Sequence, residues 1–277
     1  MSVSPEDGDL LTRMARGSRA RAAASRAAED FDALVARAGA WETPAALRRS
    51  GGFDVIAEVK LRSPSAGDLA VNADPAAQAC LYAEAGAAAV SVLTEPEVFS
   101  GSLAHLAAVA AALVPYGVPV MRKDFLVDPW QVWEARAAGA GGVLVILAML
   151  DDATVDAMLA AAGECRLFVL LEAFDGDELA RAGAVAARHP GIDLLVGLNC
   201  RDLRTLAIDA DRFRTLRAAF PPGVPSVAES GLASADDAAR VAALGYDLAL
   251  VGSALMRAPS PAALLGGMLV AGRQAAA

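Results

Sequence analysis

Apolar residues recur along the chain in short runs, and each run follows a helix-like segment that ends in glycine. Three copies of this unit are clear, at 84–93 (EAGAAAVSVL), 136–147 (RAAGAGGVLVIL) and 243–252 (ALGYDLALVG). Glycine is a common residue just past the last turn of a helix, and a continuous apolar run is typical of a strand buried on both faces. The unit predicts helices that alternate with parallel strands beyond residue 50.

Eight apolar runs predict eight strands, and successive runs begin 23 to 33 residues apart. Each interval has room for one crossover helix, which two parallel neighbours require. No GxGxxG motif follows the first run, which disfavours an open doubly wound sheet that binds a dinucleotide. We therefore predict the α/β class and, within it, a (β/α)8 barrel, also called a TIM barrel. The predicted strands are 55–60, 88–93, 118–122, 143–147, 167–172, 194–199, 225–229 and 248–252.

The segments between the runs carry signals for the start of a helix. Asp74 and Asp128 each precede a proline, in the order expected of an N-cap and the first helical residue. Ser234 and Asp237 have the spacing of a capping box. We expect these positions to begin three of the helices that cover the barrel.

The first fifty residues do not follow this repeat. Residues 9–38 are rich in arginine and alanine and have apolar residues at helical spacing, and Thr43-Pro44 is expected to open a second short helix. We interpret residues 1–50 as an N-terminal helical extension packed on the barrel. Residues 51–277 would then form the barrel that carries the chemistry.

Composition and charge exclude several classes of protein. The net charge of −9 and the pI near 4.8 argue against nucleic-acid binding, which depends on neutralising phosphates. No apolar run reaches the roughly 18 to 20 residues of a membrane span, and the acidic N-terminus lacks the features of a signal peptide. Three cysteines without metal-like spacing and only two histidines predict reduced thiols and no metal site. We therefore expect a cytoplasmic protein that binds neither nucleic acid nor membrane.

Lysine and asparagine are unusually rare in this chain. Of the 24 basic residues 22 are arginine, and the lysines are Lys60 and Lys123, while the asparagines are Asn72 and Asn199. Both lysines and Asn199 fall at predicted C-terminal ends of strands, where (β/α)8 barrels hold their reactive groups. The chain uses arginine almost everywhere else, so lysine at these positions indicates ammonium groups that must transfer a proton. A lysine can do this because its pKa shifts more readily than that of arginine.

Acidic and small residues accompany the lysines at these strand ends. Glu58 and Lys60 are two apart on one strand, so they share a face and form either a structural ion pair or a catalytic pair. Glu172 ends an apolar run and is either a general base or a second partner of a lysine. Ser230-Gly231 and Gly252-Ser253 follow the last two strands, which is the usual phosphate site of this fold.

The negative charge of the whole chain would repel an anionic ligand, so we expect a local group of cations at the barrel mouth. The loop 63–67 (SPSAG) has the composition of a mobile segment that folds over a ligand. Cys200 has no histidine placed to activate it and is expected to be inert. The cations predicted at the mouth are Lys60, Arg62, Arg122, Lys123 and Arg201.

Five long motifs, in order along the chain, resemble one enzyme family. They are 56–67 (IAEVKLRSPSAG), 91–103 (SVLTEPEVFSGSL), 119–140 (PVMRKDFLVDPWQVWEARAAGA), 197–206 (GLNCRDLRTL) and 228–261 (AESGLASADDAARVAALGYDLALVGSALMRAPSP). They resemble indole-3-glycerol-phosphate synthase, the ring-closing enzyme of tryptophan biosynthesis. The resemblance implies the substrate 1-(2-carboxyphenylamino)-1-deoxyribulose 5-phosphate and the products indole-3-glycerol phosphate, CO₂ and water, with no metal and no redox cofactor.

The resemblance also implies a role for each residue that matches a motif. Lys123 resembles the family's general acid and Glu172 its general base. Lys60 resembles a second cation, which contacts the substrate and acts as an acid in the dehydration. Glu58 and Asn199 match further catalytic positions. The residues that match substrate-binding positions are Ser63, Pro64, Phe125, Arg201 and Glu229, and those that match phosphate-binding positions are Ser230, Gly231, Gly252 and Ser253.

The chain departs from the family pattern at two places. Ala173-Phe174 follows Glu172 where the family often has Val-His, and Cys200 follows Asn199 where it usually has a second asparagine. Neither departure replaces a residue with an implied chemical role. They leave room for an altered rate, an altered substrate tolerance or a specialised pathway.

Two other interpretations stay open from the sequence. One is a related barrel with the same phosphate site, but the Cys/Asp pair of a ribulose-forming isomerase and the late-strand lysine of a Schiff-base aldolase are both missing from the strand ends. The other is a non-catalytic barrel that binds a metabolite, against which the two lysines argue. The alanine-rich helices fit a monomer or a weak homodimer equally well.

Overall fold

Eight parallel strands close into a barrel in chain order, and the last strand pairs with the first. The structure is a computed structural model that describes residues 9–50, 52–64, 67–69, 73–202 and 206–277. The (β/α)8 fold predicted from the apolar runs is thus confirmed, and each predicted strand is present within two residues of its expected bounds. The strands are β1 (Asp54–Val59), β2 (Ala89–Leu93), β3 (Val120–Lys123), β4 (Gly142–Ile146), β5 (Phe168–Ala173), β6 (Leu194–Asn199), β7 (Ser226–Glu229) and β8 (Leu248–Val251).

Side chains along each strand alternate between the helix layer and the barrel interior. Val55, Ala57 and Val59 of β1 belong to the large apolar cluster beneath the helices, whereas Ile56 belongs to the cluster inside the barrel. Because the side-chain period of a strand is two, Glu58 points inward like Ile56. The interior cluster includes Ile56, Met121, Leu144, Phe168, Leu170, Leu195, Val227 and Leu248. Polar residues two positions further along several of these strands therefore lie above an apolar barrel core.

Helices cover the outside of the barrel and pack on the outward-facing strand residues. Three glycines that follow helices adopt the left-handed backbone expected at that position, with φ of 95° at Gly86, 85° at Gly139 and 89° at Gly245. The helices are α1 (Leu10–Ala28), α2 (Phe31–Gly39), α3 (Pro75–Glu84), α4 (Leu103–Leu113), α5 (Pro129–Ala137), α6 (Asp152–Glu164), α7 (Gly176–Arg188), α8 (Arg212–Thr215), α9 (Ala235–Ala243), α10 (Ser253–Arg257) and α11 (Pro261–Ala276).

The three helix starts predicted between the strands are confirmed. Asp74 and Asp128 are the N-caps of α3 and α5, and each carboxylate accepts a hydrogen bond from a backbone N–H of the first turn. Ser234 caps α9, and Ser234 and Asp237 form both bonds of a capping box. These signals act over one helical turn, which explains why they could be recognised in the sequence alone.

We expected one crossover helix between each pair of successive strands, and the connection between β6 and β7 departs from this expectation. Among the described residues of this connection, which leave out 203–205, the helical elements are the four-residue α8 and a 3₁₀ turn at Arg217–Ala219. Residues that follow β6 instead fold back on themselves: the N–H of Asp209 donates to the carbonyl of Cys200, and Arg201 forms an isolated antiparallel bridge with Ile208. This turn uses part of the interval, so a full crossover helix does not fit there.

The short helix expected to begin at Thr43-Pro44 does not form, and residues 41–50 contain no helix. In a helix that began at Pro44, the N–H of Arg48 would donate to the Pro44 carbonyl, but here this N–H donates to the carbonyl of Ala88 at 3.4 Å. The Arg136 guanidinium of α5 donates to the carbonyls of Trp41 and Glu42 at 2.8 and 2.6 Å. Tertiary contacts therefore override the local signal of a proline preceded by threonine.

The two N-terminal helices contact the rest of the chain through apolar residues. Leu34 and Ala38 of α2 are buried against Trp130 and Ala137 of α5. Met14 of α1 belongs to the apolar cluster inside the barrel. The boundary of this extension at residue 50 stays a prediction. In the described part of the chain, no helix is long and apolar enough to cross a membrane.

Candidate active site

A cavity of about 940 Å³ lies at the carboxyl ends of the strands. It is lined by all but two of the residues that the sequence motifs singled out, because the inward-facing end of each strand reaches the same barrel mouth. The predicted residues that line it are Glu58, Lys60, Lys123, Phe125, Glu172, Asn199, Arg201, Glu229, Ser230, Gly231, Gly252 and Ser253.

Lys60 and Glu58 form a close ion pair at the end of β1. The distance from Lys60 Nζ to Glu58 Oε1 is 2.5 Å, and the side chains are 15% and 3% exposed. Lys60 itself is the first residue after the strand. Because both side chains also line the cavity, the pair is available to a bound molecule and does more than fill the barrel interior.

Lys123 ends β3 and lies between two carboxylates, Glu172 of β5 and Glu229 of β7. Its Nζ is 3.3 Å from Glu172 Oε2, to which it donates a hydrogen bond, and 3.7 Å from Glu229 Oε2. Burial would by itself lower the pKa of Lys123, but the charges of Glu172, Glu229 and Glu58 outweigh burial and raise this pKa above its usual value. Lys123 is therefore held as a protonated ammonium.

Glu229 ends β7 deep in the site, with only 2% of its side chain exposed. Burial and the neighbouring charge of Glu172 raise the pKa of Glu229 well above its usual range, against the opposing effect of Lys123. Neither carboxyl oxygen of Glu229 has a hydrogen-bond partner that meets geometric criteria among the described residues. Space for this carboxyl comes from Gly197 of β6, where an added Cβ would overlap a Glu229 oxygen. The raised pKa means that Glu229 takes up a proton more readily than an exposed glutamate would.

Asn199 organises the polar groups after β6. Its Oδ1 accepts hydrogen bonds from the Arg201 N–H at 3.0 Å and from the Ser230 hydroxyl at 2.9 Å. The Arg201 guanidinium in turn donates to the carbonyl of Leu206 at 3.0 Å, and burial lowers the pKa of Arg201. Asn199 thus joins the turn after β6 to the turn after β7.

Two turns of small residues close the side of the cavity next to β7 and β8. Ser230 and Gly231 have φ of 71° and 79°, a left-handed conformation that is strained for serine and ordinary for glycine. Consecutive residues in such turns can direct backbone N–H groups toward an anion. Gly252 and Ser253 line the cavity beside them.

Replacement of Gly252 by alanine is expected to damage the site through Glu58. An added Cβ would overlap the Glu58 carboxylate, which must move and release Lys60. Overpacking of this kind costs of order 1–3 kcal/mol, so we expect kcat/KM to fall about tenfold or more. The matched control is Gly266→Ala in α11, where no other group lies within 4 Å of the added Cβ. Unchanged steady-state kinetics for Gly252→Ala would show that Glu58 and Lys60 tolerate displacement.

The structure corrects part of the expected group of cations at the mouth. Arg122 is buried and points away from the cavity, where its guanidinium binds Thr94, the Gln131 carbonyl, Asp124 and Glu134. Its position next to Lys123 on a strand turns it to the opposite face. Arg62 is exposed and lies 3.6 Å from Asp68, and it does not line the cavity.

Among the residues that the structure describes, the cations that line the cavity are matched by an equal number of carboxylates, so their charges balance. This is still more favourable to an anionic ligand than the net charge of −9. The cations are Lys60, Lys123, Arg201 and Arg257, and the carboxylates are Glu58, Asp124, Glu172 and Glu229.

Ser63 and Pro64 are the two motif residues that the structure does not bring into the cavity. Ser63 is buried, and its hydroxyl has no hydrogen-bond partner among the described residues, whereas Pro64 is exposed. Neither lines the cavity. Of the loop 63–67, residues 65 and 66 lie outside the described part of the chain, as does Asn72.

Among the cavity-lining residues that sequence reasoning missed are Phe99, Ile208 and Arg257. Phe99 and Arg257 each stand six positions after the last residue of a barrel strand. A search extended from the strand ends into the following turns would have included them. Ile208 faces the cavity because of the turn after β6, which the sequence did not reveal.

The three residues that depart from the family pattern, Ala173, Phe174 and Cys200, do not line the cavity. Phe174 packs with the apolar cluster inside the barrel. Cys200 is buried, and burial raises the pKa of its thiol to about 12, which keeps it protonated. Cys80, Cys165 and Cys200 are all unbridged, as expected of reduced thiols. No group of three or more acidic, histidine or cysteine side chains in the described part of the chain is placed to hold a metal ion.

Comparison with known proteins identifies relatives along nearly the whole chain. The family model described as indole-3-glycerol phosphate synthase matches residues 11–265. The indole-3-glycerol phosphate synthase of Beutenbergia cavernae is 41% identical over 264 residues, covering 95% of this chain and 94% of the relative. That of Parafrankia sp. is 45% identical over 227 residues, covering 82% of this chain and 81% of the relative.

Solved structures show the same barrel in more distant proteins. A 3-hexulose-6-phosphate synthase has a TM-score of 0.59 at 19% identity and covers 81% of this chain and 100% of its own. A thiamine phosphate pyrophosphorylase from Pyrococcus furiosus has a TM-score of 0.57 at 18% identity, covering 81% of this chain and 96% of its own. At this identity the likeness concerns the fold alone. The match of the family model over residues 11–265, together with relatives above 40% identity, shows that the chain belongs to the indole-3-glycerol phosphate synthase family.

Proposed function

We propose that the protein is an indole-3-glycerol phosphate synthase. It would close the ring of 1-(2-carboxyphenylamino)-1-deoxyribulose 5-phosphate and release CO₂ and water, which leaves indole-3-glycerol phosphate. The observation that carries this assignment is the position of Lys123 between Glu172 and Glu229, across a single cavity from the Lys60–Glu58 pair. Acids and a base of this kind are what ring closure and dehydration require.

The cavity has one end suited to each part of this substrate. The turns at Ser230-Gly231 and Gly252-Ser253 would hold the phosphate through backbone N–H groups and serine hydroxyls. Phe99 and Phe125 line the cavity with their ring centroids 6.0 Å apart, and we assign the aromatic ring of the substrate to this apolar part. A substrate fixed at both ends would have its reacting atoms held beside Lys123.

Lys123 would act as the general acid of ring closure. As the ring carbon that bears the carboxylate attacks the ketone carbon, the ketone oxygen gains negative charge and takes a proton from the Lys123 ammonium. Loss of CO₂ then returns the electron pair of the broken carbon–carbon bond to the ring, which restores its aromaticity. The raised pKa of Lys123 keeps the group protonated before this step.

Lys60 and Glu172 would serve the dehydration. Lys60 donates a proton to the hydroxyl group that leaves as water, and Glu172 accepts the proton that the substrate loses. Glu58 holds the Lys60 ammonium at 2.5 Å, and Asn199 holds the Ser230 hydroxyl next to the phosphate turns. Arg201 and Glu229 would border the substrate between these groups. We do not assign contact roles to Ser63 or Pro64 in this arrangement, since they lie outside the cavity lining.

The assignment is tested by incubating the purified protein with the carboxyphenylamino-deoxyribulose phosphate and following indole fluorescence without added metal or cofactor. We expect product between about pH 6 and pH 9, where the general acid and base are both in working form. Binding of the substrate without turnover across this range would contradict the assignment and favour the non-catalytic barrel. A cytoplasmic location and a monomer or weak homodimer stay predictions, of which sedimentation of the purified protein tests the second.

A further inference from the structure

The aromatic wall at Phe125 is held by a buried carboxylate, Asp124. Its Oδ1 accepts the N–H of Phe125 at 2.8 Å, and its Oδ2 accepts the Thr94 hydroxyl at 2.8 Å and the Arg122 guanidinium at 3.2 Å. Asp124 lies directly between Lys123 and Phe125 in the chain. Its hydrogen bonds therefore fix the backbone that presents both side chains to the cavity.

The aromatic wall at Phe99 is held by a second buried carboxylate, Glu95. The side chain of Glu95 is fully buried and accepts the N–H groups of Glu97, Val98 and Phe99 at 2.9, 2.7 and 3.1 Å. Three such bonds fix the turn after β2 from which Phe99 reaches Phe125. The two aromatic walls thus depend on two carboxylates that the proposed chemistry does not use.

Arg21 of α1 bridges these two carboxylates from outside the barrel. Its Nη2 donates to Asp124 Oδ1 at 3.2 Å, and its Nη1 lies 3.7 Å from Glu95 Oε1. Among the described residues, Arg21 is the cation within salt-bridge distance of Glu95. Two buried carboxylates are stable side by side only when a cation or hydrogen-bond donors compensate them, and the guanidinium fork can reach both at once.

We propose that Arg21 is a positioning residue that sets the spacing of Phe99 and Phe125, and through it the affinity of the site for the aromatic ring of the substrate. Arg21 does not line the cavity and touches no reacting atom. It acts through Glu95 and Asp124. The inference rests on the proposed function for the identity of the aromatic ligand, and it goes beyond that function by making α1 part of ring recognition.

The test compares Arg21→Gln with Arg26→Gln in the full chain. Arg26 lies on the same helix and binds Asp128 in the loop after Asp124, but it reaches neither Glu95 nor Asp124. For Arg21→Gln we expect KM to rise about tenfold, the size expected from loss of a charge-assisted hydrogen bond, with a much smaller change in kcat. Arg26→Gln should leave both constants at the wild-type values.

Two inhibitors separate a loosened ring site from general damage. Anthranilate probes the aromatic end of the cavity, and inorganic phosphate probes the opposite end. Arg21→Gln should raise the inhibition constant of anthranilate about tenfold and leave that of phosphate unchanged. Arg21→Lys should restore only part of the affinity, because an ammonium has no fork with which to span two carboxylates.

Several outcomes would overturn the inference. A KM of Arg21→Gln equal to that of the wild type would show that the two carboxylates hold the walls without Arg21. If Arg21→Gln weakened the binding of anthranilate and of phosphate equally, Arg21 would have only a general role in folding. The same conclusion would follow if Arg26→Gln raised KM as much as Arg21→Gln. If the wild type has no turnover, the proposed function fails, and direct titration of anthranilate by its fluorescence still decides between the variants: unequal affinities support the inference and equal affinities contradict it.

Discussion

Replacement of Lys123 by arginine is expected to lower kcat about a hundredfold or more, the contribution of a well-placed general acid. The positive charge is kept, but a guanidinium holds its proton at every working pH and cannot pass it to the ketone oxygen. The longer planar group must also fit where Lys123 Nζ lies 3.3 Å from Glu172 and 3.7 Å from Glu229. Single-turnover measurements of ring closure check the result, since they report the step in which the proton is transferred.

The matched control replaces an arginine by a lysine at a position to which we assign no catalytic role. Arg37→Lys in α2 changes the ion pair between Arg37 and Glu29, neither of which lines the cavity. This variant should retain the kcat of the wild type. If Lys123→Arg also retained it, the site would need only a cation at this position, and the general acid would have to be sought elsewhere.

Replacement of Glu172 by glutamine is expected to lower kcat by a similar factor, about a hundredfold or more, because it removes the proton acceptor while keeping the shape of the side chain. The same change at Glu229 should cost far less. The pKa of Glu229 is raised well above its usual range by burial and by Glu172, so glutamine resembles the protonated form that this residue already favours. The two variants differ only in which carboxyl of the coupled pair is neutralised.

Steady-state kinetics of the two glutamine variants across the pH range separates their roles. A much lower kcat for Glu172→Gln than for Glu229→Gln supports Glu172 as the base. The reverse order would assign the base to Glu229, and equal losses would mean that the two carboxyls act as one unit. Thermal unfolding of both variants is the control for folding, since both side chains are buried.

The elements of the barrel could be predicted because their signals are local. The left-handed glycines Gly86, Gly139 and Gly245 and the capping residue Ser234 act within one turn of the chain. The helix expected at Thr43-Pro44 does not form for the opposite reason, since the N–H of Arg48 donates to the carbonyl of Ala88, which is distant in the chain. The prediction of a full helix between β6 and β7 was wrong for a similar reason. The turn around Arg201 occupies part of this interval, and the helix that forms there, α8, has four residues.

Much of the candidate site also followed from local rules, once a closed barrel was assumed. The ends of the strands converge at one mouth of the barrel. Because side chains of a strand alternate with a period of two residues, Glu58, Glu172 and Glu229 point inward. The same rule applied to β3 would have excluded Arg122, which is adjacent to Lys123 and therefore faces the helices. That correction was available in the sequence. The path of the loop that carries Ser63 and Pro64 was not, because it depends on contacts beyond the strand.

The sequence by itself determined the barrel, the family resemblance and the set of inward-facing groups, including the two lysines that a chain rich in arginine places at the barrel mouth. Only the tertiary structure decided how these groups are paired. It places Lys123 with Glu172 and Glu229, gives Lys60 to Glu58, and brings Arg21 to carboxylates that follow it by 74 and 103 residues. Pairing depends on distances of a few ångströms between atoms far apart in the chain, and those distances exist only after the barrel has closed.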